Sequence, residues 1–140
     1  MRHPSAADHQ RLERAVDQYL RYCYRLRTAA RVSELAEQIG ISAAYLSRTT
    51  SRITGQPVRE YLRERQLRHA ARLLRETPLT VDRIALAGAF GTVSTFYRCF
   101  VDKFRETPAS YRARFRRSRA LVTLLLPSIP LHPERRAPFL

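Results

Sequence analysis

Two short stretches of this chain repeat one pattern. LAEQIGISAAYLSR (residues 35–48) and IALAGAFGTVSTFYR (residues 84–98) each carry an apolar residue, a small residue, a turn, two apolar anchors and an arginine, in that order. Leu35, Ala36, Gly40, Ile41, Leu46 and Arg48 correspond to Ile84, Ala85, Ala89, Phe90, Phe96 and Arg98. The offset is 49 residues before the turn and 50 after it, so the second turn holds one extra residue. This is the pattern of a helix-turn-helix. Two helices crossing steeply need a small residue at the crossing, a turn that enters the left-handed region, and apolar residues that fix the second helix. Ala36 fits the crossing, Gly40 the turn, and Ile41 and Leu46 the anchors.

The remaining sequence is read around these two units. Leu12, Ala15/Val16, Tyr19/Leu20, Cys23 and Leu26 recur at helical spacing, predicting an amphipathic helix from Asp8 to about Arg27. Ser33 is the expected cap of a helix closed by Gly40, and Ser42 of the next, closed by Gly55. Pro57, tolerated in a first turn, opens a long helix to about Glu76. Thr80 caps a short helix, and another runs from about Val93 to Phe104 with Phe96, Phe100 and Phe104 on one core-facing stripe. Thr107 and Pro108 begin a last basic helix of a turn or two. No alternating strand pattern occurs, so the expected class is all-α. After Ser118 the character changes. The segment 119–140 carries four of the eight prolines and is expected to be an extended strap or a disordered tail.

Composition narrows the function. Lys+Arg number 26 against 12 Asp+Glu, giving a formal net charge of +14 and a sequence pI of about 11.2. A pI above roughly 9 is the footprint of a nucleic-acid binder, although a membrane-surface protein can share it. Lys103 is the single lysine. Two cysteines alone, Cys23 and Cys99, argue against a disulfide scaffold and a cysteine-based zinc site. His3, His9, His69 and His132 lack ligand spacing, and no acid/base or nucleophile set stands out. Neither catalysis, metal nor cofactor is expected. MRHPSAADHQ lacks the apolar run of a secretory signal, and ALVTLLLP is too short to span a bilayer. The chain is expected to be soluble and cytoplasmic, with no membrane partner.

The stretch from about Asp17 to Arg112 resembles the DNA-binding domain of the AraC/XylS family of bacterial transcription regulators. SELAEQIGISAAYLSR, YLRERQLRHAARLL, IALAGAFGTVSTFYRCF and TPASYR carry the resemblance. Arg65, Ala71 and Leu74 fall on one family pattern, and Phe90, Ser94, Phe96, Arg98 and Phe100 on a second. Pro108, Tyr111 and Arg112 complete a third. The resemblance implies seven helices in two lobes. Residues 8–55 form the first lobe, 57–76 a linker helix and 78–118 the second lobe, within a domain of 8–118. It also implies one recognition helix per lobe, entering successive major-groove segments. The chain departs from the family at Thr50, where an aromatic is common, and at Ala89 and Arg105, where glycine is common. Thr50 is expected to weaken the first core. The extra turn residue is expected to lift the need for glycine at Ala89, while Arg105 costs energy if its φ is positive.

With Leu46 facing inward, the outward residues of the first recognition helix are Ala43, Ala44, Ser47, Arg48 and Ser51. Their counterparts are Thr92, Val93, Ser94, Tyr97 and Arg98. Arginine suits guanine O6 and N7, and the alanines suit thymine methyls. The residues alone leave open whether Arg48 and Arg98 read bases, hold phosphate or pair with acidic neighbours. Arg52, Thr107, Tyr111, Arg112 and Arg114 are the expected phosphate contacts, Thr107 through the amides at its helix start. Arg65 is expected to brace the linker helix. The partner expected is double-stranded DNA. The alternative is a degenerate helix-turn-helix that binds another regulator or RNA polymerase, using the apolar segment from Leu121 to Leu131.

Overall fold

The computed structural model describes residues 3–125, which form seven helices and, among those residues, no strand. They are α1 (Ala6–Leu26), α2 (Val32–Ile39), α3 (Ala43–Thr54), α4 (Val58–Glu76), α5 (Val81–Ala87), α6 (Val93–Phe104) and α7 (Pro108–Leu125).

Local chemistry sets most boundaries. Ser42, Thr80 and Thr92 each cap the following helix through a side-chain oxygen, and the Ser110 amide donates to Thr107 Oγ1 at 3.1 Å. Gly40 and Gly55 close α2 and α3 at φ of 82° and 74°, where a Cβ is costly. α1 starts two residues before the expected Asp8, because Ser5 and Asp8 form a reciprocal capping box. Pro57 stands just outside α4 as its N-cap, in an extended conformation, rather than in the first turn.

α2 departs from expectation. Its N-cap is Arg31, and Ser33 lies inside the helix. The capping box here is relayed through a residue of α1. The Arg31 amide donates to the Tyr19 hydroxyl at 2.9 Å, and that hydroxyl donates to Glu34 Oε2 at 2.9 Å. Burial holds the Tyr19 phenol far above its ordinary range, so it stays a donor. α7 also departs. It continues to Leu125 instead of ending near Ser118, since Arg119, Ala120 and Leu121 are good helix formers and the next proline is Pro127. The rest of the expected tail, 126–140, lies outside the described residues.

Two cores result, and α4 serves both. Its first half gives Val58 and Leu62 to a cluster with Val16, Tyr19, Leu20, Cys23, Leu35, Ala36, Leu46 and Ile53. Its second half gives Leu67, Ala70, Ala71, Leu73 and Leu74 to a cluster with Ile84, Ala85, Phe90, Phe96, Phe100 and Tyr111. Phe96 and Phe100 are fully buried and Phe104 partly so, which makes the aromatic stripe core. Arg65 braces α4 against α1, meeting Asp17 at 2.8 Å and Glu13 at 3.1 Å.

The α5–α6 turn is shared between the lobes. Ala89, though in the second unit, packs in the first core. The Ala30 amide donates to the Ala89 carbonyl at 3.0 Å. From α4, Gln66 Nε2 donates to the carbonyls of Gly88 at 3.0 Å and Ala89 at 2.8 Å. The extra residue, Gly91, does not free Ala89 from the left-handed region: Ala89 sits at φ 62°.

Candidate nucleic-acid interface

In both helix-turn-helix units, burial divides the second helix into an inner and an outer side. On α3, Leu46, Thr50 and Ile53 are buried, while Ala43, Ala44, Ser47, Arg48, Ser51 and Arg52 are exposed. On α6, Phe96 and Phe100 are buried, while Val93, Ser94, Tyr97 and Arg98 are exposed, as is the capping Thr92. The Thr92 hydroxyl is already engaged, accepting from the Thr95 amide at 3.1 Å and donating to Thr95 Oγ1 at 2.9 Å. Tyr45, which the sequence reading passed over, is half exposed beside Ala44.

α3 also carries the exposed Arg52, and Arg48 and Arg98 are the long donors at matching positions of the two outer faces. Among the described residues neither guanidinium makes an ion pair or hydrogen bond, so pairing with an acidic neighbour is not what holds them. Some other basic side chains are already paired. Lys103 lies 3.5 Å from Glu64, which also takes Arg68 at 3.1 Å. A guanidinium with no internal partner keeps its donors for a ligand, and its charge is not cancelled locally.

The expected phosphate contacts fare unevenly. Thr107 is an exposed cap, and Arg52 is exposed beside His3, Pro4 and Asp8. Tyr111 is a correction. It is buried in the second core, and its hydroxyl accepts from Arg75 Nη1 at 2.7 Å. Arg112 is a second correction, because it turns inward to close α4, donating to the carbonyls of Leu74 at 3.0 Å and Thr77 at 3.2 Å. Arg114 is paired with Glu106 at 2.8 Å and lies over the Phe115 ring. Sequence shows that these residues are basic or aromatic, but not that carbonyls and rings of their own lobe claim them.

Comparison with known proteins completes the description. A family profile described as a helix-turn-helix domain matches residues 35–114. The chain belongs to the AraC-type helix-turn-helix family. Regulatory protein SoxS of Salmonella typhimurium is 36% identical over 83 residues, covering 59% of this chain and 78% of SoxS. The HTH-type transcriptional regulator GlxA of Rhizobium meliloti is 36% identical over 80 residues, covering 57% of this chain. The chain spans only 25% of GlxA's length, so this relative carries much that has no counterpart in the match. Among solved structures, the DNA-binding domain of AdpA, a global transcriptional factor in complex with a target DNA, is 25% identical with a TM-score of 0.69. It covers 78% of this chain and 96% of that domain. These relatives are named as regulators or transcriptional factors, and no described helix of this chain is long and apolar enough to cross a membrane.

Proposed function

We propose that this AraC-type chain is a sequence-specific transcription regulator that acts on double-stranded DNA in the cytoplasm, without catalysis, by inserting α3 and α6 into successive major-groove segments. One observation carries the reading. Each unit presents an arginine without an internal partner at the matching position, Arg48 or Arg98, on the outer side of its second helix, and the two units are clasped to one linker helix. At 19 residues, α4 is ~28 Å long at 1.5 Å per residue, close to the ~34 Å between major grooves one turn apart. Arg48 and Arg98 each read a guanine edge, Ala43 and Ala44 supply thymine-methyl contacts, and Ser47, Ser51, Val93, Ser94 and Tyr97 fill in around them. Arg52 and Thr107 hold phosphate. Backbone neutralisation supplies much of the affinity, which therefore falls steeply with salt.

A second reading has its own support. Leu121, Val122, Leu124 and Leu125 are exposed at the end of α7, which suits a protein-interaction module that binds RNA polymerase or another regulator. Selecting sites from a random duplex library, with the wild type and with Arg48→Ala and Arg98→Ala, separates the two. Two sequence patches one helical turn apart, each erased by a different substitution, are the expected result. Binding that is salt-sensitive but yields no motif would favour the protein-interaction module.

A further inference from the structure

Where the entrance of α2 faces α4 lies a groove of about 380 Å³, lined by Ala30, Arg31, Val32, Ser33, Arg59, Leu62, Arg63 and Gln66. Three arginines reach it from two helices that are distant in sequence. Among the described residues, Arg31 and Arg59 have no ion pair, hydrogen bond or ring contact through their side chains, and Arg63 has only the Phe90 ring, 5.4 Å from its guanidinium carbon. No acidic side chain lines the groove. Like charges gathered without a counter-charge destabilise a fold on their own, so the arrangement favours an anion that several guanidinium forks can hold together.

The groove's position says which anion. Arg63 rests on Phe90, and Gln66, at the groove's edge, holds the carbonyls of Gly88 and Ala89. These residues form the turn that ends at Thr92, the cap of α6. The groove is thus built onto the segment that delivers the second recognition helix.

We propose that this groove is a phosphate clamp, in which Arg31, Arg59 and Arg63 hold a backbone phosphodiester of the DNA between the segments read by α3 and α6. The proposal rests on the DNA-binding reading above and deepens it. The clamp is blind to sequence, since phosphates carry no base information. It adds one neutralised phosphate to the salt dependence and fixes the duplex between the lobes.

The test compares the full-length wild type with an Arg31→Ala, Arg59→Ala double variant, which leaves Arg63 packed on Phe90. Binding to a selected duplex and to an unrelated duplex is measured by fluorescence anisotropy over a salt series, alongside thermal melting of the free protein. Expected for the variant are about tenfold weaker binding to both duplexes, a salt slope lower by about 0.9, and an unchanged selected motif. The free variant should melt no lower than the wild type, because like-charge repulsion has been relieved. An unchanged salt slope, with wild-type binding intact, overturns the clamp and leaves the DNA-binding reading standing. Inorganic phosphate, set against chloride at equal ionic strength, forms a second arm. If it raises the wild-type melting temperature but not the variant's, and the DNA slope is unchanged, the groove takes free phosphate and the clamp is again overturned. A wild type that binds neither duplex removes both the DNA-binding reading and the clamp.

Discussion

The Ala30 amide and the Ala89 carbonyl, 3.0 Å apart, join the entrance of α2 to the turn before α6. The bond makes the α5–α6 turn part of the first lobe's packing, and Ala89 is accordingly buried in the first core. Two helix-turn-helix units tied only by a linker helix could swivel about it. Here Gln66 of α4 grips the same turn from the other side, so the spacing of the two outer helices is set by three elements at once.

Gln66→Leu tests that grip. Leucine matches glutamine roughly in volume but donates nothing, so the buried Gly88 carbonyl loses its Gln66 partner. Leaving one such group unpaired costs about 1–3 kcal/mol. Urea denaturation should show a loss of about 2 kcal/mol. A midpoint within error of the wild type would mean that the turn is held by Ala30 alone.

Thr50 makes the opposite case. Its side chain is fully buried, and among the described residues Oγ1 has no hydrogen-bond partner. A buried hydroxyl without a partner pays its desolvation with no return. Valine has nearly the same shape, so Thr50→Val should stabilise the protein by about 1 kcal/mol. Thermal melting decides it, and a lower melting temperature would show the hydroxyl to be satisfied.

How far the sequence carries can be seen at particular residues. Ser42, Thr80, Thr107, Gly40 and Gly55 act on neighbours within a few positions, and local pattern places them correctly. The start of α2 depends on Tyr19, on another helix, and no local rule reaches that far. The exposed faces of α3 and α6 follow from helical period once Leu46 and Phe96 are set inward. The fate of an individual arginine does not. Arg112 and Arg114 look alike in sequence, yet one caps α4 and the other pairs with Glu106. The groove's Arg31, Arg59 and Arg63 meet only in three dimensions.

Arg105 closes α6 at φ 59° and is exposed. A left-handed conformation costs a residue with a Cβ roughly 1–2 kcal/mol, and glycine returns about 0.4–1 kcal/mol of that through the freer unfolded chain. Arg105→Gly should therefore gain about 0.5 kcal/mol net. Arg105→Ala removes the same charge but keeps the Cβ, and should gain nothing. Equal stabilisation by both would assign the effect to charge, not backbone.

His69 gives the fold a pH dependence. Its ring stacks on Tyr24 at 4.1 Å, 12° from parallel, and so links α4 to α1. Burial, and secondarily the charge of Arg72, hold its imidazole below the ordinary 6.5. Since the folded value is the lower one, protons bind the unfolded chain more readily. The stabilisation is thus fully present above about pH 6.5 and is lost as pH falls from there through the depressed folded value. The slope contributed cannot exceed about 1.4 kcal/mol per pH unit. Urea midpoints at about pH 7.5 and about pH 5.5 bracket the window. His69→Phe keeps a ring against Tyr24 and removes the titration, so its midpoint should fall less across that interval than the wild type's. An equal fall in both proteins would place the pH dependence on other groups.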